Sequence, residues 1–192
     1  MKNLLIIIMA IFTFNAYGQK MHNHVYINKL TEVTGTEYVI ASINYTNKVL
    51  ETNGFYLLFI NTKSGETKQV DFPENTRIDK MEHIKMDNSG INLIIVEART
   101  TNIYKKTDVG RNNSTQIIIL SPDGKEKTQL TGDDFSARIW SVNNMTGTIV
   151  VAGNNGVNSD KHNKISSYKD DNEDKSEIHI YSLKTLKLIS KM

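Results

Sequence analysis

The sequence predicts an all-β protein built as about three four-stranded antiparallel sheets in series. Three observations carry this expectation. Short runs rich in β-branched and aromatic residues recur along the chain, separated by Gly, Asn, Asp, Ser and Thr. Helical periodicity is nearly absent, although the 192 residues include only 2 prolines. An internal repeat places glycines at positions 35, 90 and 147, and these divide the strands into equivalent groups.

Taken in order, strands are expected at 24–29, 37–44, 55–60, 67–72, 81–86, 92–98, 115–120, 127–131, 136–142, 148–153, 177–182 and 186–190. The first alternates, with Val25 and Ile27 bracketing Tyr26. The second follows Thr34-Gly35-Thr36, whose glycine supplies the positive φ of a hairpin turn. The third contains the apolar run Leu57-Leu58-Phe59-Ile60; the polar turn through Gly65 and a fourth strand ending on Val70 follow it. The same order then repeats. Ser89-Gly90 precedes Leu93-Ile94-Ile95-Val96, and Ile117-Ile118-Ile119-Leu120 leads through Pro122-Asp123-Gly124 to a strand ending on Leu130. In the last group Thr146-Gly147-Thr148 precedes Ile149-Val150-Val151-Ala152. Ile178 and Ile180 bracket His179, and Ser182-Leu183-Lys184-Thr185 turns into a strand ending on Ile189. The continuous apolar runs suit strands covered on both faces. One four-stranded unit cannot bury both of its faces, so neighbouring units must stack.

The segment Ile118-Ile119-Leu120-Ser121-Pro122-Asp123-Gly124-Lys125-Glu126-Lys127-Thr128-Gln129-Leu130-Thr131 resembles the blade turn of TolB-like, WD40-like (PD40-type) β-propellers. There a strand ends in a "DG" or "TG" turn and the next ends in Leu-Thr. Asp133-Asp134, Trp140-Ser141 and then Gly147 before an apolar strand are similar to the family's "W-S-P-D-G-x-x-I-A-F" element. The sequence departs from the pattern at 142–146, where Val-Asn-Asn-Met-Thr replaces Pro-Asp, and at 86–90, which lacks the Trp. The match is densest over 115–153. The resemblance implies propeller-like blades. Propellers close with four to eight blades, so three blades imply a partial propeller or one completed by an oligomer.

The amino terminus has the layout of a secretory signal. Met1-Lys2-Asn3 is a short positive start, an apolar run covers 4–14, and Ala16 and Gly18 occupy the −3 and −1 positions of a cleavage before Gln19. The expected organisation is a signal over 1–18 and one domain over 19–192, periplasmic or secreted. The apolar run is shorter than the roughly 20 residues of a membrane span. The sequence has 0 cysteines, which excludes disulfides, thiolate catalysis and cysteine-ligated zinc. A net charge of +2 offers no basic excess for nucleic acid.

Candidate chemistry is sparse. The segment 154–175 carries Asp160, Asp170, Asp171, Glu173 and Asp174. Within it Asp170-x-Asn172-x-Asp174 resembles the start of a calcium loop, although Lys175 stands where the turn glycine belongs. Calcium is the one cofactor this pattern leaves open; a solvated insertion is the plainer reading. His22 and His24 would share a strand face, while His83, His162 and His179 have no partner at ligand spacing. Asp87, Glu97, Asp123 and Asp133 could supply a carboxylate pair for glycoside hydrolysis, but nothing singles them out. No G-x-S-x-G elbow, H-E-x-x-H helix or phosphate-gripping glycine loop occurs. Trp140, the only tryptophan, is a candidate binding anchor, and its place opposite 149–151 reads more readily as sheet core. These features point away from an enzyme. They favour a binding or scaffold module that contacts a protein or cell-envelope ligand through the long connections near 45–54, 99–114 and 154–176. The rivals are a hydrolytic or peptidase-associated fragment and a homo-oligomeric subunit that completes a larger ring through an end blade.

Overall fold

A computed structural model describes residues 24–47, 52–101, 113–155 and 176–192. Among them lie twelve strands: β1 (His24–Glu32), β2 (Tyr38–Asn47), β3 (Thr52–Asn61), β4 (Thr67–Asp71), β5 (Thr76–Met86), β6 (Ile91–Thr101), β7 (Asn113–Leu120), β8 (Lys127–Gln129), β9 (Phe135–Asn143), β10 (Thr148–Asn155), β11 (Ser176–Ser182) and β12 (Leu188–Lys191). A single 3₁₀ turn, Asp87–Ser89, joins β5 to β6. The described residues contain no helix long and apolar enough to cross a membrane.

Each expected strand is present, and most extend further than expected. They form three four-stranded sheets, β1–β4, β5–β8 and β9–β12, each antiparallel and each running in chain order. This is the blade pattern that the resemblance implies. The repeat glycines occupy the left-handed region, with φ of +75°, +65° and +64° at Gly35, Gly90 and Gly147. In the third sheet side chains shape the turns. Asn143 Oδ1 accepts hydrogen bonds from the Met145 and Thr146 amides at 3.0 and 3.2 Å. Leu186 stands where Gly65 stands in the first unit, and it adopts φ +56°. That conformation costs a non-glycine residue roughly 1–2 kcal/mol; packing of its side chain against the core offsets the strain.

The second sheet lies between the other two. Ile94, Val96, Ala98, Ile118 and Leu120 pack against Ile40, Leu57, Phe59 and Val70 of the first sheet. From the opposite face Leu93, Ile95, Ile117 and Ile119 pack against Ala137, Trp140, Ile149, Val151 and Tyr181 of the third. Alternation along β6 and β7 therefore sends successive side chains into two different cores, and each buried aliphatic side chain contributes about 1.5–3 kcal/mol. This explains the unbroken apolar runs at 93–96 and 117–120.

Two expectations need correction. The runs at 57–60 and 149–152 are not covered on both faces, because their sheets stand at the ends of the stack. Leu57, Phe59, Ile149 and Val151 are buried, while Leu58, Ile60, Val150 and Ala152 on the outer faces are only half-buried. Ile189 does not match Val70 and Leu130. It is exposed, and it is the extra residue at the register shift between β11 and β12, where the strand is re-aimed.

Candidate functional site

The turns collect at one end of the stack. Gly35, between β1 and β2, lies against the Lys85 side chain at the end of β5. Gly147, between β9 and β10, lies against Ile91 at the start of β6, and Gly124, after β7, lies under the Phe59 ring at the end of β3. The opposite end therefore receives the connections between the second and third strands of each sheet. Those connections, 48–51, 102–112 and 156–175, fall outside the described residues, as do Asp170, Asn172, Asp174, His22 and His162. One position bears on the calcium pattern all the same. Counted from Asp170, the twelfth residue of such a loop is Tyr181. Its ring is buried in the core and its hydroxyl lies 3.1 Å from His179 Nδ1, so it supplies no bidentate carboxylate. Among the described residues no three His, Asp or Glu side chains gather at metal-binding distance.

Trp140 lies opposite Val151 in the register and is 8% exposed, part of the core between the second and third sheets. Its edge reaches a polar cleft of about 320 Å³ between β5 and β9, lined by Lys80, Glu82, His83, Lys85, Ser141 and Asn144. The indole N–H donates to Glu97 Oε2 at 2.9 Å. Lys80 Nζ sits 3.8 Å from the ring centroid and pairs with Glu82 at 2.9 Å. The ammonium over the ring is a cation–π contact that occupies the face a sugar or partner side chain would use. The cleft thus presents alternating charges held by their own neighbours.

The other carboxylates weighed from the sequence disperse. Asp87 pairs with Lys85 in the 3₁₀ turn, and Asp133 accepts from the Gln129 amide at 2.7 Å. Burial pushes the Asp123 carboxyl upward, but hydrogen bonds from the Ser121 hydroxyl and the Lys125 amide, with the Lys125 ammonium beside it, outweigh this and hold it below the usual range. Each serves a turn or a core contact.

Sequence reasoning missed a polar chain on the third sheet. Tyr181, His179 and Glu177 project from the same face of β11, and Lys191 of β12 joins them. His179 stacks on Phe135 at 4.1 Å between centroids. Its Nδ1 meets the Tyr181 hydroxyl at 3.1 Å and its Nε2 meets Glu177 at 3.0 Å. An ionised carboxylate only accepts, so Nε2 donates to Glu177. Both ring nitrogens are engaged, and the chain works as a lock between β11, β12 and the third-sheet core. The i, i+2, i+4 spacing was visible; its meeting with Phe135 and Lys191 was not.

The hydrogen bond from Lys191 at 2.7 Å is the main cause that holds the Glu177 carboxyl below its ordinary value; burial opposes it and His179 adds to it. A depressed carboxyl contributes stability that is present above the unfolded value of about 4.3 and lost as pH falls through the lower folded value. Melting curves of the protein and its Glu177→Gln variant should therefore draw together as pH falls from about 6 to about 2.5. A difference in Tm that stays constant over that range would remove Glu177 from the acid response.

No protein-family model and no curated protein matches the sequence. Solved structures with a similar arrangement include the acylaminoacyl peptidase of Pyrococcus horikoshii in an orthorhombic crystal form, at TM-score 0.46 and 10% identity, over 88% of this chain and 25% of that one. Another is the β-propeller domain of the Trilobed protease from Pyrococcus furiosus, described as having an open velcro topology, at TM-score 0.44 and 11% identity, over 88% and 42%. The chain spans between a quarter and about two-fifths of those structures, and nothing about activity passes from them to it. The fold defines an all-β protein of three stacked four-stranded sheets.

Proposed function

We propose that this chain is an exported, non-catalytic binding or scaffold module that meets protein partners through the outer faces of its end sheets. The observation that carries the reading is the apolar outer face of the first sheet. Val25, Ile27 and Leu30 are 54%, 66% and 64% exposed along β1. The register sets them beside half-buried Tyr45 and buried Ile43 and Ala41 of β2, the last two only 4% and 2% exposed, whose partners on β3 include half-buried Tyr56 and Leu58. Among the described residues no element packs on this face. An exposed apolar strip on a protein with a well-packed interior marks an interaction site. The charged start, apolar run and Ala16-x-Gly18 layout support export. The TolB-like form of the turn at 121–124 supports a blade whose role is assembly or display. The end of the stack toward the two longer connections, 102–112 and 156–175, is a second contact region in this reading, since binding residues concentrate on loops held by a rigid scaffold.

A photo-crosslinking amino acid placed at position 30 tests the reading in the producing cell, with position 63 in the exposed β3–β4 turn as control. Protein adducts are expected from position 30 and not from position 63. No adduct from position 30, or equal adducts from both, would overturn it.

A further inference from the structure

The two faces left uncovered among the described residues are not alike, and the repeat shows how they differ. The fifth residue after a repeat glycine points forward, toward the next sheet. Ile40, opposite Phe59, points from the first sheet to the second, and Ile95, opposite Ile119, points from the second to the third. The fourth residue points backward. Ile94, opposite Leu120, faces the first sheet, and Val151, opposite His179, faces the second. Both internal interfaces therefore join a forward face to a backward face.

The same count identifies what is left over. In the first sheet the fourth residue is Val39, opposite Ile60, and it shares its face with Ala41, Leu58, Ile43 and Tyr56. This is a backward face with no preceding sheet among the described residues. In the third sheet the fifth residue is Ala152, opposite Ile178 on one side and Ile139 on the other, with Val150 opposite Ile180. This is a forward face with no following sheet among the described residues, and Ile139 and Ile178 are 68% and 41% exposed on it. The three described sheets thus leave over the two unlike halves of an interface that they make twice among themselves.

We infer that a second copy of this chain covers the open face of the first sheet with the open face of its own third sheet. The inference rests on the reading of the outer faces as contact surfaces and names their occupant. The contact is heterologous: a forward face meets a backward face, as within the chain. Two copies joined this way at both ends close a ring of six sheets, and a rotation that does not close extends the array instead. Like-to-like pairing of two first sheets would place backward face on backward face, a combination neither internal interface uses.

Sedimentation velocity of the purified chain tests this with two single variants, Ile27→Lys on the first-sheet face and Ile178→Lys on the third-sheet face. Both positions are solvent-accessible, so both variants should keep the parent's circular dichroism and melt. The parent is expected to sediment at twice the chain mass or higher multiples. Each variant alone retains one competent face of one type and is expected to lose association, sedimenting as a monomer. Mixed, the two variants are expected to form a 1:1 pair, because the competent backward face of one meets the competent forward face of the other. Three results would overturn the inference: a monomeric parent at high concentration, either variant dimerising alone, or a mixture that stays monomeric. A monomeric parent together with adducts to a different protein from position 30 would leave the proposed function standing and remove only the self-assembly.

Discussion

Phe59→Ala is expected to lower the unfolding free energy by about 3–5 kcal/mol, the range for deleting a fully buried aromatic ring. Phe59 is fully buried and belongs to the core between the first and second sheets. Gly124 lies beneath the ring so closely that a Cβ there would come 2.5 Å from it. The turn that carries Gly124 is pinned by the Ser121–Asp123 and Lys125–Asp123 contacts and cannot collapse into the vacated space. A residual cavity is the costly outcome for a large-to-small change. The first sheet reaches the rest of the molecule through this core, so the loss should concentrate there. Amides of β2 and β3 should exchange faster than those of β10 and β11 in the variant. Chemical denaturation with hydrogen exchange reads both effects. A shift under about 1 kcal/mol, or uniform acceleration in all three sheets, would show that Phe59 does not hold the first interface.

Gly153→Ala is the second large effect, about 2–3 kcal/mol or more, from overpacking a closed site. Gly153 lies at the register shift between β10 and β9, where a Cβ would come 2.2 Å from the Ser136 carbonyl oxygen and 2.6 Å from the Phe135 ring. Neither wall yields easily. The first is backbone, and the second is a fully buried ring stacked on His179. Gly65→Ala is the matched control. That glycine has φ +77° and nothing within 4 Å of an added Cβ, so its variant should show only the backbone cost of roughly 1–2 kcal/mol. Equal losses at the two positions would mean that the close approach at Gly153 relaxes without penalty.

The strands, their turns and their grouping follow from local sequence. All twelve strands and the division at Gly35, Gly90 and Gly147 were legible because their causes are local. Side-chain alternation, β-branching and positive φ at a turn act within about ten residues of chain. Likewise Trp140 was readable as core because its cross-strand partner Val151 belongs to the adjacent strand of the same hairpin. Tertiary structure alone decided which apolar runs are buried twice. Residues 93–96 and 57–60 look alike in sequence, and they differ because one sheet has neighbours on both sides and the other on one. It also decided the partners of Trp140. Glu97 and Lys80 come from the neighbouring sheet, and no local rule joins residues across that distance in the chain. The stacking order sets these contacts, because a sheet face has no preferred neighbour until another face is packed against it.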